Sequence, residues 1–186
     1  MTQDQPLVGA LDACEAAMAI HGDRGAFERL YRRWHPKLLR FAAQLMGNPD
    51  DARDVMQEAA IAIAKNIHRL EDAHRFGPWA YTIVRRRAAD YIKSATRARR
   101  ATASAVDAPS PDAPDHDEHF ALRQAMDRLS DSDRLLLTLF YLNDMTGPEL
   151  AAAMGIALGT LKSRLFDARR RLKQAYETKE DGDTHD

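Results

Sequence analysis

The chain of 186 residues has one cysteine, Cys14, so no disulfide can form within it, and that residue reads as a small buried apolar side chain. Glycine (9) and proline (8) are sparse and gather outside the periodic stretches, so little interrupts helices. Alternating runs of β-branched residues are absent, which excludes a substantial sheet. No apolar run is long enough to cross a bilayer, and the N-terminus lacks a signal-peptide pattern. A cytoplasmic protein without direct membrane insertion is expected. The sequence also lacks a phosphate-cradling glycine loop, a nucleophile elbow and a zinc-protease pattern. His116, Asp117, Glu118 and His119 are crowded together, but in or beside a segment too polar to supply supporting hydrogen bonds, so they read as solvated. No enzyme, cofactor, metal site or small-molecule substrate is predicted.

What is there is helical and charged. With 45% hydrophobic and 30% charged residues, the chain suits one or two small helical domains. A net charge of −1 argues by itself against a polyanion binder, but the charge is segregated. Within 85–100, Arg85, Arg86, Arg87, Lys93, Arg97, Arg99 and Arg100 stand against the single acid Asp90. Acids gather instead at 107–118 and from Glu177 onward. Local fields steer association more than their sum does.

Apolar periodicity divides the chain. A helical lead-in is expected over 1–20 and a helical domain over 21–100. In that domain Phe27, Leu30, Tyr31, Trp34, Leu38, Phe41 and Leu45 recur at helical spacing, with Pro36 as a kink or restart. Gly47 ends one helix, Asn48 caps the next and Pro49 fits its first position. Residues 101–118, ATASAVDAPSPDAPDHDE, hold three prolines, small residues and acids, and read as a flexible linker spanning at most ~60 Å. A second helical domain follows over 119–178, and 179–186 reads as a disordered tail. The fold class is therefore all-α, two small domains on a linker.

The second domain ends in TGPELAAAMGIALGTLKSRLFDARRRLK, a helix, a tight turn and a cationic helix. Thr146 and Glu149 have capping-box spacing, Pro148 sits in the first turn, Gly155 suits a turn with positive φ, and Leu161 can plug the angle between the helices. Leu161, Leu165, Ala168 and Leu172 share one face and must point inward. Outward lie Gly159, Ser163, Phe166, Asp167 and Arg170, flanked by Lys162 and Arg169 on one side and Arg164 and Arg171 on the other. Such a helix fits the DNA major groove, with hydrogen-bonding residues at the centre and cations at the rims. Phe166 in a polar face points to a thymine methyl or to a partner protein; a solvated basic helix with one stray aromatic is the plainer alternative.

A second cationic helix begins at Gly77-Pro78-Trp79 in the first domain. Ala80, Ile83, Val84, Ala88 and Tyr91 form its apolar stripe, with Arg86, Lys93 and Arg97 opposite. Two basic helices on linked domains point to a bipartite contact with one polyanion. The polar loop before it carries Arg69, His74, Arg75 and Phe76, donors and a ring for an unstacked base. Closure of the domain core explains Phe76 and Trp79 equally well. The helix after Asn48 carries Asp51, Asp54, Gln57 and Glu58. The helix dipole favours acids there, and a basic protein partner would too.

In order, GDRGAFERLYRRWHPKLLRFA, NPDDARDVMQEA, FGPWAYTIVRRRAADYIK and LSDSDRLLLTLFYLNDMTGPELAAAMGIALGTLKSRLFDARRRL resemble the motifs of extracytoplasmic-function sigma factors of bacterial RNA polymerase. The resemblance implies a dissociable, non-catalytic polymerase subunit. Region 2 would bind core polymerase through Asp51, Asp54, Gln57 and Glu58. It would open the −10 element with Arg69, His74, Arg75, Phe76, Trp79, Arg86, Lys93 and Arg97. Region 4 would read the −35 element with Thr160, Lys162, Ser163, Arg164, Phe166, Arg169, Arg170 and Arg171. Core RNA polymerase, promoter DNA and an anti-sigma factor are the implied partners. A sigma-like decoy for an anti-sigma factor and a conventional helix-turn-helix regulator are the rival readings.

Overall fold

The computed structural model describes residues 5–102, 117–142 and 145–180. Among them are eight α-helices and no strand: α1 (Gln5–Ile20), α2 (Arg24–Met46), α3 (Pro49–Asn66), α4 (Phe76–Thr102), α5 (Asp117–Asp127), α6 (Asp131–Leu142), α7 (Gly147–Met154) and α8 (Leu158–Glu180). Single 3-10 turns at Ile67–Arg69 and Ala73–Arg75 join α3 to α4. Most of the expected linker and tail lies outside the described residues; 101–102 close α4, 117–118 open α5 and 179–180 close α8.

Local chemistry sets the helix ends. The Asp23 carboxylate accepts from Ala26 N–H at 3.0 Å and starts α2. Gly47, at φ 66°, ends it by donating to the Ala43 carbonyl. Asn48 then caps α3 through Asp50 N–H at 2.8 Å, with Pro49 following. Pro36 does not restart a helix, since α2 runs through it from Arg24 to Met46. Leu30, Trp34, Leu38 and Phe41 are buried on both sides of the proline, and their packing carries the helix through it. Cys14, read as buried, is exposed on α1, because the inward face of that helix is taken by Ala13, Ala16 and Ala19.

The N-terminal unit packs α1 through α4 around four buried rings. Trp34 meets Phe76 and Tyr81 edge-on, with centroids 5.7 and 6.0 Å apart, and Phe41 meets Tyr81 at 5.2 Å. The C-terminal unit is built from Leu136, Leu137, Leu139, Leu150, Leu161 and Leu165, with Ala151, Ala153 and Ala168 where helices approach closely. α7 lies against α4, so the two units share one continuous core. The contact is tight: a Cβ on Gly77 would stand 2.8 Å from Glu149 Oε1, and one on Gly155 would stand 2.8 Å from Arg85 Cζ. Burial, then the nearby Glu149 charge, push the Tyr81 phenol well above its ordinary range.

Candidate nucleic-acid interface

The turn into α8 is fixed by its caps. Thr146 and Glu149 form the capping box, with Thr146 N–H donating to Glu149 Oε2 at 2.6 Å. Gly155 takes φ 69° and donates to the carbonyls of Ala151 and Ala152, ending α7 in the left-handed region that favours glycine. Leu161, Leu165 and Ala168 are buried and Leu172 half-buried, as the periodicity requires.

α8 therefore presents Thr160, Lys162, Ser163, Arg164, Phe166, Arg169, Arg170 and Arg171 to solvent. Phe166 is 67% exposed, a ring held in water with no core role. The cations fall into two sets. Arg170 pairs with Asp167 at 3.3 Å and Arg171 with Asp133 at 3.2 Å. Arg169 lies over the rings of Phe140 and Tyr141, 5.0 and 5.7 Å from their centroids, and its Nε donates to Tyr141 Oη at 2.9 Å. Lys162 and Arg164 make no ion pair among the described residues. Tyr141, exposed and orienting Arg169, was not picked out in the sequence. Its only signal is that it stands one residue beyond the apolar run LLLTLF.

On α4, Arg86, Lys93 and Arg97 are exposed opposite the buried Ala80, Val84 and Ala88. The preceding loop is not loose. Leu70 is buried at its middle, and the Asp72 carboxylate accepts from His74 N–H at 2.9 Å. Arg69, His74 and Arg75 point to solvent. Phe76, expected as a stacking face for a base, is 1% exposed and belongs to the core; the first turn of α4 drives its ring into Trp34. Half-buried Trp79 stands in front of it, with centroids 5.9 Å apart. Trp79, Arg69 and Arg75 line one cleft of about 300 Å³ with Leu70, Glu71, Asp72, Pro78 and Thr82, and Ala152 of α7 forms part of its wall. Three of the expected residues thus meet in one cleft that the sequence could not show, whereas His74 stands outside it.

On α3, Asp54, Gln57 and Glu58 are exposed, as expected. Asp51 is half-buried and accepts from Tyr91 Oη at 2.6 Å, so it also ties α3 to α4. Ile61, 50% exposed, continues the face of Asp54, Gln57 and Glu58 by helical spacing and gives the acidic patch an apolar end.

Residues 30–98 match the sigma-70 region 2 family and residues 119–172 the sigma-70 region 4 family. The chain is 32% identical over 144 residues to the ECF RNA polymerase sigma factor EcfG of Rhodopseudomonas palustris, covering 74% of this chain and 77% of that one. It is 28% identical over 163 residues to the ECF RNA polymerase sigma factor RpoE of Cereibacter sphaeroides, covering 85% and 90%. Its fold resembles that of the sigma factor RpoE solved with the anti-sigma factor NepR from Bartonella quintana, with TM-score 0.61, 23% identity and 81% and 96% of the two chains covered. CnrH, solved with the cytosolic domain of CnrY, is alike at TM-score 0.61 and 22% identity, covering 90% and 98%. Motif order, helix-turn-helix geometry and these likenesses agree, and the chain belongs to the extracytoplasmic-function sigma factors of the sigma-70 family.

Proposed function

We propose that this sigma factor directs core RNA polymerase to promoters by a bipartite contact, without catalytic activity of its own. α8 reads the −35 element. Lys162, Ser163 and Phe166 face the bases, and Arg164, Arg169, Arg170 and Arg171 meet phosphates. The cleft beside α4 receives a base leaving the −10 stack, with Trp79 as its aromatic wall and Arg69 and Arg75 as donors. Arg86, Lys93 and Arg97 hold the backbone alongside, and His74 contacts the strand at the rim. Asp54, Gln57 and Glu58 on α3 bind a basic surface of core polymerase, with Asp51 holding α3 to α4. The domains are 21–100 for region 2 and 119–178 for region 4, with 1–20 as a lead-in helix.

The observation that carries this reading is the presence, in one chain, of two exposed cationic helices and a separate exposed acidic face. A DNA-only regulator has no use for the acidic face. One solved neighbour is a sigma factor bound to an anti-sigma factor, and another, CnrH, is bound to the cytosolic domain of CnrY, which supports a protein anti-sigma partner in the cytoplasm. In vitro transcription with purified core polymerase on genomic fragments tests the proposal. Promoter-specific transcripts are expected. Operator binding without polymerase-dependent transcription would favour a conventional regulator, and no transcription despite anti-sigma binding would favour a decoy.

A further inference from the structure

α1 ends before the region 2 match begins at residue 30, yet it is wired into the cleft that region 2 forms. Ala13, Ala16 and Ala19 are buried, and their small side chains let α1 lie close against both 3-10 turns of the 67–75 loop. Two carboxylates, Asp12 and Glu15, then join α1 to α2. Asp12 Oδ1 accepts from Arg33 Nε at 2.8 Å and Nη2 at 2.7 Å, and Asp12 Oδ2 accepts from Trp34 Nε1 at 3.0 Å. Arg33 Nη2 also donates to Glu15, whose other oxygen accepts from Arg29 Nε at 2.7 Å. The Asp12 side chain is 13% exposed and that of Glu15 7%, so water competes little for these bonds.

The ring that Asp12 orients is the one on which the loop closes. Trp34 packs edge-on to Phe76, the residue joining the loop to α4. A Cβ on Gly77 would lie 2.3 Å from Trp34 Cη2, so the indole touches the backbone at that joint. Arg69 and Arg75 stand before this joint and Trp79 just beyond it. A rotation of the indole displaces the joint and with it the cleft.

We infer that Asp12 is a positioning residue for −10 recognition: through its paired hold on Arg33 and Trp34 it fixes the ring that sets the geometry of the 68–76 loop. The inference rests on the proposed role of that loop. A site residue keeps its geometry only when its supporting residues are themselves locked, and a displacement of about 1 Å costs reactions roughly a hundredfold.

The test uses the full chain with core polymerase. Asp12→Ala, Asp12→Asn and Trp34→Phe are compared with Arg69→Ala and Trp79→Ala, which change the cleft itself. For each, discrimination between promoters differing only in the −10 element is measured beside −35 binding, core affinity and thermal melting. Asp12→Ala is expected to reduce −10 discrimination about tenfold, with −35 binding and core affinity within about twofold of the parent. Asp12→Asn, which keeps an acceptor for the indole, is expected to lose less, and Trp34→Phe, which keeps a ring but not its N–H, to behave as Asp12→Ala does. If Asp12→Ala does not fold, the other two variants decide. Shifted −10 preference in Arg69→Ala and Trp79→Ala, with none in folded Asp12 and Trp34 variants, overturns the inference and leaves the loop assignment standing. No shift in any variant overturns both. An equal loss of −10 and −35 discrimination in the Asp12 variants reduces α1 to general packing and also overturns it.

Discussion

The N-terminal unit closes on four buried aromatic rings, whereas the C-terminal unit turns Tyr141, Phe166 and Tyr176 to solvent. Trp34, Phe41, Phe76 and Tyr81 are all buried in the first. In the second, Phe140 is half-covered, and Tyr141, Phe166 and Tyr176 are exposed. Interlocked rings resist rotation and hold a loop in one place. Leucine and alanine are enough to hold a capped helix pair whose geometry is already fixed by Thr146, Glu149 and Gly155. The first unit must shape a cleft out of irregular backbone. The second has only to present the face of a regular helix, which leaves its rings available for contact.

The largest effect should come from breaking the ring cluster. Phe41 is fully buried against Tyr81, and Phe41→Ala is expected to cost about 3–5 kcal/mol of stability. Leu161→Ala in the other unit is expected to cost about 2–5 kcal/mol, toward the lower end if neighbouring leucines collapse into the space. Denaturant unfolding of both variants checks the ranking, and an equal or larger loss for Leu161→Ala would remove the contrast.

Next comes the acidic face. Asp54→Arg should weaken core polymerase binding by about 2–5 kcal/mol with thermal melting unchanged, because the side chain is exposed and supports nothing internal. Asp51→Ala should differ, lowering melting as well, since it releases the Tyr91 hydroxyl. Unchanged core affinity in folded Asp54→Arg would refute the surface.

A smaller effect separates the two sets of cations on α8. Lys162→Ala and Phe166→Ala should each cost about 1–3 kcal/mol of −35 binding, with Phe166→Ala also changing the preferred sequence. Arg171→Ala should weaken binding less and equally across sequences, because Asp133 already holds that guanidinium. Binding isotherms on a panel of −35 variants distinguish the two patterns.

The smallest effect is acid sensitivity of the α1–α2 junction. Burial alone would raise the Glu15 pKa, but the hydrogen bonds and charges of Arg33 and Arg29 together outweigh it and lower it below 4.5. Its folded value is depressed, so its contribution is present above about pH 4.5 and is lost as pH falls through the lower folded value. The melting temperature of the parent should therefore drop more steeply below pH 4.5 than that of Glu15→Gln. Parallel profiles would place the acid response elsewhere.

Much of the interface was legible because it depends on helical spacing and caps. The inward stripe of α8, the outward cations, the capping box, the Gly155 turn and the exposed Asp54, Gln57 and Glu58 all follow from residues close together in the chain. Ring roles were harder. Period and polarity fit Phe76 and Trp79 equally well as core or as contact, and only the position of Trp34 buries one and brings the other to the cleft.

By itself, the sequence determined the all-α class, the family, the order of helices and the inward and outward faces of α4 and α8, because these are set by periodicity and local hydrogen bonding. The tertiary structure alone decided what distant residues do to one another. It made Asp12 and Glu15 partners of Arg29, Arg33 and Trp34, gave Asp51 to Tyr91 and Arg169 to Tyr141, and set α7 against α4. Each of these is a side-chain contact across many residues of chain, whose distance and burial depend on how whole helices pack and leave no trace in local spacing.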